Sequence, residues 1–230
     1  LAILLGSISV NYFGAEMARR TRSRWALGLL ILCHMGLLGV YKYADLAIAT
    51  SNALLGSQFE MLRLVLPLAI SFFTFQQIAY VVDRFRGDLE QMPLLHYAVF
   101  VAFFPQLIAG PIVRCQYVAR DLMDHGVRMS SGRFNWGLSL FILGLAKKVL
   151  LADSLANIAD PVFDANASGE APSQTMAWLG LLAYSLQIYF DFSAYSDMAI
   201  GLGIVFGLSL PVNFLSPYKS RNIIEFWRRW

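Results

Sequence analysis

Residues 184–203 read YSLQIYFDFSAYSDMAIGLG. Coiled into a helix, this stretch sets Tyr184, Gln187, Asp191 and Tyr195 at i, i+3, i+7 and i+11. They form one polar stripe on an apolar cylinder. The stretch lies inside a longer apolar run, residues 176–208, whose charged positions are Asp191 and Asp197. That run exceeds the roughly 20 residues that cross a bilayer, so a break is predicted near Ser193–Ser196. A charge at the bilayer centre costs about 2.5–3.5 kcal/mol on insertion scales. Asp191 therefore needs a partner. It reads either as part of a polar pathway or as a structural acid bonded to a neighbouring helix. Asp197 reads as a cap for a helix starting at Met198.

The rest of the chain agrees with a membrane setting. Of 230 residues, 57% are apolar and 14% charged, where an ordinary soluble domain carries about 25% charged residues. This composition excludes a disordered chain, a coiled coil and a disulfide-stapled secreted module. It leaves room for about six spans. The predicted fold is all-α: a single polytopic transmembrane domain over 1–230, with broken or re-entrant helices around a tunnel. Eighteen basic residues against 15 acidic give a net charge of +3, too little to imply nucleic acid as a partner. Cys33 and Cys115 read as buried thiols. No Cys/His cluster points to a metal. The absence of GxSxG, HExxH and P-loop motifs leaves hydrolase, zinc-protease and nucleotide-hydrolysing chemistry without support.

Outward from the stripe, other apolar runs are interrupted in informative ways. The chain opens LAILLGSISV, without an initiator Met, a basic n-region or a clean cleavage site, and it ends FWRRW. Both ends read as cut, and the chain as a fragment of a longer protein. Arg19, Arg20, Arg22 and Arg24 follow the first segment and read as a cytoplasmic anchor. Residues 25–41 are a predicted span, and Lys42 to Arg63 an interfacial helix. Residues 64–82 are another span, followed by a charged loop, DRFRGDLE. Residues 94–113 contain Pro105 and the pair Gly110–Pro111, which predict either a discontinuous element or a kinked span. Residues 134–152 form a helix carrying Lys147 and Lys148. The stretch 153–175 holds acids and no Lys or Arg, so it reads as an outside loop. Residues 209–230 read as an interfacial or re-entrant segment.

Candidate site residues cluster where these runs break. Arg114 follows Gly110–Pro111 and either binds an anion with its rigid fork or anchors the interface. Trp227, Arg228, Arg229 and Trp230 read as an interfacial belt or as a basic aromatic cluster for a phosphorylated donor. His34, His96 and His125 are distant in sequence from this cluster and read as structural.

Four stretches carry a family resemblance: ISFFTFQQIAYVVDRFRG (70–87), FFPQLIAGPIVR (103–114), GLAKKVLLAD (144–153) and YFDFSAYSDMAIGLGIVFGLSLPVNFLSPYKSRNIIEFWRRW (189–230). They resemble the membrane-bound O-acyltransferase family, and within it the bacterial alginate O-acetyltransferase branch. The resemblance runs from about residue 64 to the end.

The resemblance implies a multi-pass protein of the bacterial inner membrane whose tunnel crosses the bilayer. An acyl thioester such as acetyl-CoA would donate from the cytoplasm, with no bound cofactor. The acyl group would pass towards an extracytoplasmic polysaccharide such as alginate or towards a partner acetyltransferase. The family pattern continues FWRRW with a reaction-centre His and later a second His, so no catalytic residue is expected within this chain and the fragment alone is expected to be inactive. By motif, Arg114 matches the Arg after the family's AGPI. Trp227, Arg228, Arg229 and Trp230 match the approach to the reaction-centre His, and Asp191 falls in a polar tunnel-lining block. Competing readings are D-alanyl or other acyl transfer to a cell-wall polymer, and a transporter using Asp191 as an ion relay.

Overall fold

The computed structural model describes residues 2–107, 113–123 and 130–230, and every regular element among them is helical. The helices are α1 (Ala2–Thr21), α2 (Arg24–Leu55), α3 (Ile70–Arg86), α4 (Leu94–Ala102), α5 (Phe104–Leu107), α6 (Cys115–Met123), α7 (Ser131–Lys147), α8 (Asp153–Ala167), α9 (Gln174–Val205) and α10 (Ile223–Arg229). A π-helical turn, Lys148–Ala152, joins α7 to α8, and a 3₁₀ turn, Pro217–Lys219, precedes α10. The all-α expectation holds for the described residues. They form two compact units, α1–α6 and α7–α10.

In the first unit, α1 packs on α2, α3 and α4, α3 packs on α2 and α4, and α6 packs on α3 and α4. Its core is made of large side chains: Phe73, Tyr80, Tyr97, Phe100 and Met92 are all buried. Tyr80 and Tyr97 lie with ring centroids 4.2 Å apart. Asn11 is the polar hub. Its Nδ2 donates to the Tyr97 hydroxyl at 2.6 Å and to the Gln77 carbonyl at 3.2 Å. Its Oδ1 accepts from His34 Nε2 at 2.8 Å, which gives His34 the structural role expected of it. Buried Arg84 donates to Glu16 at 2.5 Å and to the Leu89 carbonyl at 2.7 Å.

Several predicted boundaries in this unit move. The span at 25–41 and the separate interfacial helix after it are one helix, α2, because nothing before Gly56 breaks the backbone; Gly56 ends it at φ 64. Among the described residues α2 is the helix long and apolar enough to cross a membrane. Residues 56–69 are not helical, and Asp45 of α2 holds them by accepting the Leu62 and Arg63 amides at 2.7 and 3.1 Å. The span predicted from residue 64 starts only at Ile70, after Pro67 and Ala69, the latter at φ 61. At the other end α3 runs through the first part of the charged loop to Gly87 (φ 87). The predicted discontinuity in 94–113 lies at Phe103, between α4 and α5. Pro105 there has no amide to donate and crowds the preceding turn. Gly110–Pro111 and His125 lie outside the described residues. Cys115 is buried as expected, but Cys33 is exposed, on an α2 face beside Leu29 and Leu32 where a thiol behaves as one more small apolar group.

In the second unit α7, the π turn and α8 all pack on α9. The predicted break at Ser193–Ser196 does not occur. Ser193 returns its hydroxyl to the Phe190 carbonyl at 3.3 Å inside the helix, and the SAYS stretch contains neither Gly nor Pro. The 32 residues of α9 make a rod about 48 Å long, well beyond a hydrocarbon core of about 30 Å. The acid-rich stretch expected as a loop is helical as far as Ala167: Asp153 stands in the first turn of α8, where a carboxylate suits the helix dipole, and Gly169 (φ 87) follows the helix end.

Small residues set the spacing of the second unit. A Cβ on Gly144 of α7 would sit 2.8 Å from the Ala194 carbonyl oxygen, and one on Gly201 of α9 would sit 2.6 Å from the Gly137 carbonyl oxygen. Gly137 and Gly144 are seven apart, as are Ala194 and Gly201. Two backbones thus touch along a heptad-spaced seam, the close approach that membrane helices make where Gly and Ala line the contact.

Candidate functional site

The seam brings two lysines against two aspartates. Lys148, first residue of the π turn, donates to Asp191 of α9 at 2.7 Å and to Asp153 at 2.6 Å. Lys147, last residue of α7, pairs with Asp197. Asp197 is thus not a cap for a helix starting at Met198: α9 runs through it, and its carboxylate is taken by a neighbouring helix. Successive helical side chains diverge by about 100°, so adjacent lysines reach different acids. The π turn contributes to this placement: the Asp153 amide donates five residues back, to the Lys148 carbonyl, and such wide turns inside α-helices recur at functional sites. The Lys148 and Asp191 side chains are 39% and 47% exposed, so the pairs lie in a half-open polar line rather than in the core.

The polar stripe on α9 faces this same side. Tyr184 packs on Phe163 of α8 with centroids 4.9 Å apart, and Asp191 meets the π turn. Gln187, between them, buries its Oε1 without a hydrogen-bond partner among the described residues.

The chain end docks elsewhere on α9. The Tyr218 hydroxyl donates to the Ser185 carbonyl at 2.9 Å. The Tyr189 ring lies 5.4 Å from Tyr218 and 6.2 Å from Trp230. Trp230 also stacks on Phe226 at 5.5 Å and meets Phe214 edge-on at 5.3 Å. Residues two apart point to nearly opposite sides of a helix, so Tyr189 and Asp191 put the aromatic cluster and the lysine line on different faces of α9. Arg229 is braced by Glu225 at 2.7 Å and donates to the Leu215 carbonyl at 3.2 Å. Glu225 also accepts the Arg221 amide at 2.9 Å. That bond and the Arg229 guanidinium hold its carboxyl below the usual range. Trp227 and Arg228 are exposed beside this brace.

Arg114 belongs to the other unit. It is exposed, and its carbonyl accepts the Tyr117 amide at 3.0 Å as α6 begins. Of the residues singled out in the sequence, the structure therefore gathers Trp227, Arg229 and Trp230 into one end piece and sets Asp191 against Lys148. From sequence alone Lys147 and Lys148 read only as snorkelling or cavity-facing cations, with no acid assigned to them. The available signal was charge matching: two cations interrupt one apolar run and two anions interrupt another.

Among the described residues every regular element is helical, and the second unit pairs its charges beside glycine-lined helix contacts. Residues 85–230 match the family described as MBOAT, membrane-bound O-acyltransferase, and the chain belongs to that family. Over 260 residues it is 42% identical to the peptidoglycan O-acetyltransferase of Helicobacter pylori, covering 100% of this chain and 49% of that protein. It is 40% identical over 243 residues to the probable alginate O-acetylase AlgI of Pseudomonas syringae, covering 100% of this chain and 45% of that protein. It is 28% identical over 165 residues to the teichoic acid D-alanyltransferase of Streptococcus thermophilus, covering 71% of this chain and 40% of that protein. The chain spans about half the length of the curated relatives it matches.

Proposed function

We propose that this chain is part of a multi-pass O-acetyltransferase of the bacterial inner membrane, which moves an acetyl group from a cytoplasmic thioester such as acetyl-CoA to an extracytoplasmic polysaccharide. The observation that carries this reading is identity of 40% or more to two O-acetylating relatives over the whole chain. The acceptor is a cell-envelope polysaccharide, alginate or peptidoglycan, reached directly or through a partner acetyltransferase.

In this reading the reaction-centre histidine that the family pattern sets after Trp230 takes the proton of the attacking hydroxyl. The oxygen adds to the thioester carbonyl, the tetrahedral intermediate collapses, and the thiolate leaves. Hydrogen-bond donors held against the carbonyl stabilise the oxyanion. The aromatic end piece, anchored on α9 through Tyr218 and Tyr189, supports this reading as a rigid lead-in to the histidine. Arg228, exposed beside it, is the cation available to a donor phosphate, whereas Arg229 is already engaged. Arg114, on the first unit, offers its rigid fork to an anionic group, and Asp191 with Lys148 lines the polar path.

The reading is tested by acetyl transfer from labelled acetyl-CoA in membranes carrying the full-length protein. Alanine at the histidine after Trp230 should abolish transfer, and Arg114→Ala should weaken it. Undiminished transfer by the histidine variant ends the mechanism. Transfer of D-alanine but not acetate replaces the acetyl reading with the D-alanyl one, to which the Streptococcus thermophilus relative is the pointer.

A further inference from the structure

The turn between α1 and α2, with the end of α3, gathers five arginines, of which Arg20 alone has an ion-pair partner among the described residues. Arg19 and Arg20 close α1, Arg22 follows, Arg24 opens α2 and Arg86 closes α3; with Glu16 they line one open pocket of about 590 Å³. Glu16 is already shared, with Arg20 at 2.7 Å and buried Arg84 at 2.5 Å. Among the described residues no carboxylate pairs with Arg19, Arg22, Arg24 or Arg86.

Helix ends divide these arginines into two kinds. Arg19, Arg20 and Arg86 stand in last turns, where the helix dipole favours a cation. Arg24 is the first residue of α2, where the dipole favours an anion instead. Arg22 is held at φ 49, a left-handed backbone that a non-glycine residue adopts at a cost. A surplus of guanidinium groups around a helix N-terminus suits a phosphate, whose oxygens match the planar fork. The position along α2 supplies the setting. Trp25 is 91% exposed at the start of the long apolar helix, and indoles at that position mark headgroup depth.

We propose that Arg22, Arg24 and Arg86 form a binding site for a phosphate-bearing group at the membrane end of α2. An anionic phospholipid headgroup and a free phosphate share this chemistry. The inference does not depend on acyl transfer, and its readout is binding, so its failure would leave the acetyltransferase reading standing.

The full-length protein in neutral detergent is titrated with phosphatidylglycerol, phosphatidylcholine and inorganic pyrophosphate. Phosphatidylglycerol should bind far more tightly than phosphatidylcholine, and more weakly as salt rises. Replacing Arg22, Arg24 and Arg86 together by Gln should weaken it on the order of a hundredfold, at roughly fivefold per basic residue near a surface. Arg24→Gln alone relieves the unfavourable end of α2, so it should keep the protein folded while weakening binding about fivefold. Pyrophosphate binding lost in the triple variant supports the site and makes any phosphate a ligand. Phosphatidylglycerol binding without pyrophosphate binding supports it with the lipid as source. Equal phosphatidylglycerol affinity in wild type and triple variant, or equal affinity for phosphatidylcholine, overturns it.

Discussion

The two units solve the same problem with different materials. In α1–α6 the largest fully buried side chains are Arg84, Tyr80, Tyr97, Phe73 and Phe100, with Tyr97 and His34 bonded to Asn11 and Arg84 to Glu16. In α7–α10 the helix contacts bury mostly small residues, Ala152, Ala159, Ala183, Ala194 and Ala199 with Gly137, Gly144 and Gly201, beside the larger Val162 and Ile200, and the charged pairs stand half-open at the edge of the seam. One unit is filled by side chains around a bonded hub. The other is closed by backbone contact and leaves its charges part-exposed. Stability should therefore fail by different routes in the two.

The largest effect belongs to the seam. Gly201→Leu drives a side chain into the Gly137 carbonyl and the Phe141 backbone, neither of which can step aside. It should cost about 3 kcal/mol or more, read as a fall in the thermal unfolding midpoint of the full-length protein in detergent. A loss under about 1 kcal/mol would show that the helices are not in backbone contact.

Next is the hub. Asn11→Ala strips His34, Tyr97 and the Gln77 carbonyl of a shared partner and should cost about 2–3 kcal/mol. Asn11→Ala and His34→Ala should be strongly non-additive in a double-mutant cycle; additivity would dissolve the hub.

These two predictions mark what was legible. The stripe on α9 and the need of Asp191 for a partner are visible because helical period and the cost of intramembrane charge are local facts. The partner itself was not. Lys148 reaches Asp191 only because Gly144 and Gly201 let two distant helices touch, and close approach is a property of pairs of runs rather than of either one. Asn11 was overlooked for the same reason: one Asn in an apolar opening run looks incidental until His34, Gln77 and Tyr97 converge on it from three other helices. The break predicted at Ser193–Ser196 failed because length alone argued for it, while serines can return their hydroxyls to their own helix. Of the site, the FWRRW motif located the end piece, but not that Arg229 is spent on Glu225 and Leu215.

The third test concerns the half-open charges. Lys148→Met should change stability by less than about 1 kcal/mol, since a pair this exposed is screened, yet acetyl transfer should drop if the polar line serves the reaction. A large stability loss with unchanged transfer would make the line structural and bring the second unit closer to the first.

The smallest effect is titration of the end piece. The folded pKa of Glu225 is depressed, first by the Arg221 amide and then by Arg229. Its contribution is therefore present above the ordinary carboxylate pKa of about 4.3 and is lost as pH falls through the depressed value. Glu225→Gln should leave α10 less firmly docked at neutral pH and flatten its acid sensitivity, followed by tryptophan fluorescence. An identical acid transition in the variant would remove Glu225 from the brace.

The π turn at Lys148–Ala152 works as a vernier between α7 and α8. Taking out one residue there would restore ordinary pitch and leave hydropathy almost untouched. It would set Asp153 four residues after Lys148 at nearly the same angle, so Asp153 and Phe163 would keep their facings, whereas a residue taken out of the regular turns on either side would rotate everything beyond it by about 100°. A one-residue change of length is thus absorbed at that bend, and misaims the side chains of α8 only where it falls in the regular helix outside it.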